Sequence, residues 1–219
     1  MTSRTALPGL RSPGVGFEQP FEMLDACHES IGRSLDLLAR LCAHARAHGA
    51  DEAGRDAARD VLRYFDIAAP LHHGDEERHV FPPLLARAAA HPGDVAAAEV
   101  AALVARLQRD HIAMAATWAQ AREPLAAWAA GDLAAFEPGH LAAFDRFIAL
   151  HADHLRREDA VIYPASRAML SAEAVQAMGR EMAGRRGVTP AAMEKIAECP
   201  VRRARKHCPV GNVLTPDRP

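Results

Sequence analysis

Two eleven-residue strings with a common pattern constrain the fold of this 219-residue chain more than any other feature. The first runs from His72 to Pro82 and reads HHGDEERHVFP, and the second runs from His154 to Pro164 and reads HLRREDAVIYP. Each contains His-x-x-x-Glu, then an aliphatic residue, an aromatic residue and a proline. On an α-helix, a four-residue separation places the histidine and the glutamate about one turn apart on the same face. The repeat therefore predicts two helices that each present an imidazole and a carboxylate together.

The rest of the sequence also favours helices. Ala, Leu, Arg and Glu dominate, and β-branched residues are sparse. In four stretches, apolar residues recur at spacings of three and four, as on the buried face of a helix. We predict helices over about residues 17–48 and 51–91, a third that begins after Asp94, and a fourth that begins at Pro138.

Prolines interrupt two of these helices. Pro70, Pro82 and Pro83 predict a kink or a break in the second helix, and Pro164 predicts a disturbance in the last turns of the fourth. The predicted fold class is all-α, an up-down-up-down four-helix bundle. Its predicted parts are a disordered leader (1–16), the bundle (17–170), a short C-terminal helix (171–188) and a basic tail containing proline and cysteine (189–219).

Polar residues lie on the inward stripes of all four predicted helices. The first helix contributes His28 and the third His111. The second stripe runs through His72, Glu76 and His79, and the fourth runs through His151, His154, Glu158 and Val161. If the helices alternate in direction, these residues fall within about two turns of one level. Four inward histidines would be costly to bury without a shared partner.

A metal is the partner that this set of side chains predicts. Imidazole and carboxylate together suit iron, manganese or zinc, and a carboxylate can bridge two ions where an imidazole cannot. Spacing alone leaves two registers open, His72 with Glu76 or His73 with Glu77. It also leaves open a metal-free helical interaction module, in which the histidines are satisfied by a polar core.

Other polar residues are assigned lesser roles. His79 and His151 lie on the inward stripes, so each is either a further ligand or a residue that orients a ligand. Tyr64 and Tyr163 could each donate a hydrogen bond to a bound oxygen species, but ordinary packing is the preferred interpretation. Cys199 and Cys208 are interpreted as incidental cysteines of a solvated tail.

Composition excludes several classes of partner. The formal net charge of −2 gives no reason to expect nucleic acid or an anionic membrane surface. No apolar run approaches the roughly 20 residues of a membrane-spanning helix, and residues 1–20 lack the apolar segment of a signal peptide. Cys27 and Cys42 fall inside a predicted helix, which favours reduced thiols. We expect a cytoplasmic protein.

With His28 in LDACHESI and His111 in RDHIAM, the two strings resemble the HHE cation-binding domain of the hemerythrin-like family over about residues 20–170. The resemblance implies two iron ions in an oxo- or hydroxo-bridged centre, with both glutamates bridging. It implies as ligands His28, His72, Glu76, His111, His154 and Glu158. It thereby selects the register of His72 with Glu76.

The sequence departs from oxygen-carrying hemerythrins at two points. Those proteins have a second histidine on the third helix, where this chain has Leu107 and Ala115, and their last carboxylate falls at the position of Asp159. One histidine fewer leaves more open coordination, which argues against simple oxygen carriage. The sequence is more similar to bacterial repair-of-iron-centres proteins. Members of that group often carry an extra N-terminal Cys-bearing domain, in place of which we expect only the short leader here.

These features together predict a non-haem di-iron protein that binds, senses or handles O₂, NO or peroxide. The alternative is an enzyme or iron donor in iron–sulfur cluster repair or in peroxide or NO detoxification, which would need an external electron donor. The second alternative is the metal-free module.

Overall fold

The computed structural model describes residues 15–188, and all the regular structure within that range is helical. The helices are α1 (Pro20–His48), α2 (residues 52–90), α3 (Val95–Ala130), α4 (residues 138–169) and α5 (Ala172–Arg185). Both α1 and α3 pack against α2 and α4, and α5 packs against α1 and α2. The prediction of an all-α fold is confirmed. Most of the predicted leader and the whole basic tail, with Cys199 and Cys208, lie outside the described residues.

Side-chain caps fix where the helices begin. The carboxylate of Asp51 accepts a hydrogen bond from the Gly54 backbone at 2.8 Å, and that of Asp94 accepts one from Ala97 at 3.0 Å. Ser171 caps α5 in the same way. Proline is the first residue of α4, where its missing N–H is not needed. These starts agree with the sequence prediction.

Wide π-helical turns allow α2 and α4 to continue past their prolines. They lie at Tyr64–Ala68, Glu76–Val80 and Glu158–Ile162, and in each case a proline follows two residues after the turn. The residue before that proline donates its N–H to the carbonyl five residues back. Because proline has no N–H and its ring crowds the preceding turn, the wider turn lets the helix continue. The second helix is therefore not broken, and its junction residues keep helical dihedral angles.

Each π-turn also changes which side chains point inward. After Glu76, the buried residues are Val80 and Phe81 instead of His79. After Glu158, Ile162 is buried, whereas Val161 is 39% exposed. The predicted stripes through His79 and Val161 are thus wrong, because a turn with an extra residue rotates the following side chains about the helix axis.

Two apolar clusters lie on either side of the polar residues along every bundle helix. One is built on large side chains such as Phe65, Trp128 and Phe147. The other contains Phe81 and Ile162. Burial of such side chains stabilises the fold by roughly 1.5–3 kcal/mol each. In sequence, the predicted ligands of all four helices fall between the two clusters, so the polar centre lies midway along the bundle.

Helix α5 is held to α2 by ion pairs. The fully buried carboxylate of Asp75 pairs with Arg185 and, at 2.7 Å, with Arg186. His79 of α2 also pairs with Glu181 of α5.

None of the described helices combines the length and the apolar sequence that a membrane crossing requires.

Gly179 generates a prediction about the docking of α5. A Cβ atom there would lie 1.9 Å from the Phe17 carbonyl oxygen, which is backbone that cannot move aside cheaply. We expect Gly179→Ala to lower the free energy of unfolding by about 1–3 kcal/mol, because it overpacks this contact. Gly184→Ala on the same helix has open space and should raise it by about 0.5–1 kcal/mol. Urea unfolding measures both, and equal effects would show that the close contact is not maintained in solution.

Candidate metal centre

The structure brings all six predicted ligands into one buried cluster. Their potential ligand atoms form two groups, each within 4.8 Å, that share one glutamate. The first group is His28, His72, Glu76 and Glu158, and the second is His111, His154 and Glu158. All six residues are buried. The chemistry and spacing of this His and Glu cluster fit a metal site.

The carboxylate of Glu76 faces both groups. Its Oε1 lies 3.3 Å from Nε2 of His72 and 3.7 Å from Nε2 of His28. Its Oε2 lies 3.4 Å from Nε2 of His111. The two oxygens are therefore directed at different histidines.

Glu158 repeats this arrangement from the opposite helix. Its Oε2 lies 3.3 Å from Nε2 of His28, and its Oε1 lies 3.1 Å from His154 Nε2 and 3.8 Å from His111 Nε2. Each glutamate thus presents one oxygen to the histidines of α1 and α2 and the other to those of α3 and α4. A carboxylate that bridges two cations needs this arrangement.

Several of these buried atoms have no hydrogen-bond partner among the described residues. They are both ring nitrogens of His72, Nδ1 of His154, Oε2 of Glu76 and both carboxylate oxygens of Glu158. Buried polar atoms in a stable protein almost always have a partner. Of these atoms, Nε2 of His72, Oε2 of Glu76 and the two oxygens of Glu158 face the centre. Their convergence on one place fits a bound cation.

Charge in the metal-free cluster is balanced by two of the histidines. Burial disfavours a charge on His28, but its hydrogen bond to Asp159 and the nearby carboxylates of Glu158 and Glu76 outweigh burial and raise its pKa to about 12. Burial likewise opposes a charge on His111, but Glu158 and Glu76 raise its pKa to about 10. Burial lowers the pKa of His72 to about 4. Two imidazolium rings thus offset part of the carboxylate charge around the centre, and a metal would replace their Nε2 protons.

Two further carboxylates orient the histidines of α1 and α3. Oδ1 of Asp159 lies 2.7 Å from Nδ1 of His28, and Oε1 of Glu77 lies 3.0 Å from Nδ1 of His111. Each of these acids directly follows one of the central glutamates in sequence. By holding a proton on Nδ1, each leaves the Nε2 lone pair free for the centre.

An aromatic ring stacks on each of the same two histidines. The Tyr163 ring lies 5.0 Å from that of His28 between centroids, and the Phe81 ring lies 5.7 Å from that of His111. The Tyr163 hydroxyl also donates to Glu76 Oε1 and lies 2.8 Å from Nε2 of His28. Ordinary packing is therefore an incomplete account of Tyr163. Its place before the proline of the repeated string was a signal that could have identified it.

The other histidines near the cluster take different positions. His79 is paired with Glu181 and is not among the grouped ligand atoms. His151 is buried, donates from Nδ1 to the Phe147 carbonyl at 2.8 Å and packs against that ring. His73 stacks on His111 at 4.1 Å between centroids. Neither His73 nor His151 belongs to the two ligand groups.

Comparisons with known proteins agree with this arrangement. The family model described as the hemerythrin HHE cation binding domain matches residues 19–166, a span that contains the whole cluster. A protein of Haemophilus influenzae (strain ATCC 51907 / DSM 11121 / KW20 / Rd), named only as an uncharacterized protein, is 29% identical over 175 residues. That alignment covers 78% of this chain and 92% of the relative.

The orienting carboxylates generate a prediction. Glu77→Gln and Asp159→Asn should each lower the affinity for Zn²⁺ by about 10- to 100-fold, because a neutral acceptor holds the Nδ1 proton less firmly. Calorimetric titration of the metal-free protein measures this. Glu29→Gln is the matched control, since Glu29 lines the same surface cleft as Asp159 but pairs with Arg33. Equal losses in all three variants would show a general effect of surface charge instead.

Proposed function

The chain belongs to the hemerythrin HHE cation-binding domain family, and on that premise we propose that it is a non-haem di-iron protein that binds, senses or handles O₂, NO or peroxide. One observation supports two ions: the two carboxylate oxygens of each glutamate face different pairs of histidines. Neither glutamate has both oxygens directed at one pair.

The residues divide naturally into two positions. His28 and His72 would hold one ion, and His111 and His154 would hold the other. Glu76 and Glu158 would be shared between them. Each position would then have two nitrogen and two oxygen donors from the protein, which leaves coordination open for a further ligand.

Iron suits this donor set. Imidazole and carboxylate suit Fe²⁺ as well as Mn²⁺ and Zn²⁺, and the match to the hemerythrin family favours iron among these. A bound pair of iron ions would supply redox chemistry and open coordination for a small ligand. We also propose that the protein is similar to bacterial repair-of-iron-centres proteins, that an external electron donor serves it, and that it is cytoplasmic. The free thiols of Cys27 and Cys42 fit a reducing compartment.

The protein's own residues would prepare this centre in two ways. The apolar clusters on either side of it exclude water, which strengthens the interaction of the carboxylates with a cation. Asp159 and Glu77 hold the rings of His28 and His111 in place before metal binds, so these side chains lose little conformational entropy on binding.

A surface cleft that reaches His28 is the entrance that we propose for the small ligand. The cleft has a volume of about 480 Å³, is open to solvent, and is lined by Asp25, His28, Glu29, Leu155 and Asp159. His28 therefore connects it to the buried cluster. Each carboxylate at its walls lies beside a basic side chain, namely Asp25 beside Arg167, Glu29 beside Arg33 and Asp159 beside His28, so wall charge does not select among O₂, NO and hydrogen peroxide.

Anaerobic titration with Fe²⁺ tests the proposal. We expect wild-type protein to bind two iron ions per chain, and its visible spectrum to change when NO or O₂ is added. The Glu76→Gln, Glu158→Gln double variant should lose both ions, because it removes the shared charge. His79→Ala should keep both, since His79 pairs with α5 and not with the centre.

Thermal unfolding with and without iron separates the metal-free alternative. A cation that binds the native state must raise the unfolding temperature of the wild-type protein. If iron left that temperature unchanged and stayed well below two ions per chain, the di-iron function would be excluded. The chain would then be better described as a helical interaction module.

A further inference from the structure

The two halves of the centre are built from matching parts. Each half has a His-x-x-x-Glu pair. An acidic residue directly follows the glutamate, and an aromatic residue lies five positions after the glutamate. The α2 half supplies Glu77 and Phe81 to His111, and the α4 half supplies Asp159 and Tyr163 to His28. The aromatic planes are tilted by 21° and 23° from the imidazoles they cover.

One difference between the halves contacts the ligand atoms directly. The Tyr163 hydroxyl donates to Glu76 Oε1 and lies within hydrogen-bond distance of His28 Nε2. The ring at the equivalent place over His111 is Phe81, which has no polar atom. The donor set of the His28 and His72 position therefore includes an oxygen that already accepts a hydrogen bond. The matching ring gives the His111 and His154 position no such hydrogen bond.

We propose that Tyr163 is a positioning residue that makes the two cation positions unequal, so that the position of His28 and His72 is the weaker one and fills last. This inference rests on the proposed two-ion centre. It assigns the difference between the positions to one hydroxyl group.

The direction follows from how a carboxylate oxygen distributes its charge. A charge-assisted hydrogen bond to Glu76 Oε1 takes up part of the negative charge that the oxygen would offer to a cation. Removing a residue that contacts a metal ligand typically changes metal affinity by about 10- to 100-fold. Most such partners raise the basicity of a ligand, whereas this hydrogen bond withdraws charge from one, so its removal should strengthen binding. The Oε2 atom of the same glutamate faces His111 and has no hydrogen-bond partner among the described residues. Its negative charge is therefore fully available to a cation.

Burial keeps this hydrogen bond in place. Tyr163 is 3% exposed, and its ring is fixed between His28 and Phe21. The π-turn that begins at Glu158 places the residue there. The hydroxyl therefore stays beside Glu76 and is not replaced by water.

Titration of the metal-free full-length chain with Co²⁺, followed by calorimetry and by the visible absorption of the bound ion, tests the proposal. Wild-type protein should take up two ions in separate steps, the second about tenfold weaker than the first. In Tyr163→Phe the second ion should bind more tightly, so that the ratio of the two affinities falls by about tenfold. The visible absorption band that accompanies the second ion should shift. The number of ions bound should stay the same.

Tyr64→Phe is the matched control. Tyr64 is also a buried tyrosine, but its hydroxyl donates to the Cys27 backbone carbonyl at 3.1 Å and not to a ligand. It should keep the wild-type ratio of affinities. A Tyr163→Phe variant that keeps the wild-type ratio of affinities and the wild-type absorption band would overturn the inference. If its metal-free unfolding temperature fell as well, the role of Tyr163 would be structural only.

Two outcomes in the wild-type protein are also decisive. Two steps of equal affinity would overturn the inference while leaving the two-ion centre intact. Uptake of fewer than two Co²⁺ ions would remove the two-ion centre itself, and this inference with it.

Discussion

The structure depends on the burial of two carboxylates among four imidazoles in the middle of a helical bundle. Glu76 and Glu158 are fully buried, where an isolated charge would be very costly. Without a metal, the charge is offset by protons on His28 and His111, and several polar atoms stay unpaired. Apolar clusters on both sides of these residues provide the stability that tolerates such a centre. A bound cation would satisfy the carboxylates and the unpaired atoms that face the centre together.

The repeated string acts through local helix geometry. Its glutamate begins a π-turn, and its proline follows that turn and makes the wider geometry favourable. The extra residue rotates the aromatic side chain inward, so that Phe81 and Tyr163 reach the histidines of neighbouring helices. The acid after each glutamate reaches the same rings. One short string therefore supplies a ligand pair, an orienting acid and a stacked ring, and two copies make an almost symmetric centre.

The sequence was sufficient to predict the helices, because helical periodicity and capping are local properties. Alternating helix directions placed the inward histidines and glutamates near one level, and the resemblance to HHE domains selected the six residues. Spacing alone could not choose between the His72 and His73 registers, since adjacent residues on a helix differ by only 100° in direction. His79 and Val161 were placed inward because a regular period was continued through the π-turns. Contacts between helices, such as Asp159 with His28, are not visible in a one-dimensional pattern. The acid repeated after each glutamate was nevertheless a usable signal for them.

The central claim is that each glutamate is shared between two metal ions. Anomalous X-ray diffraction from iron-loaded crystals tests it most directly. The account predicts two iron peaks about 3–4 Å apart, one beside His28 and His72 and one beside His111 and His154, both within bonding distance of Glu76 and Glu158. A single peak, or peaks that only one of the two glutamates contacts, would contradict it.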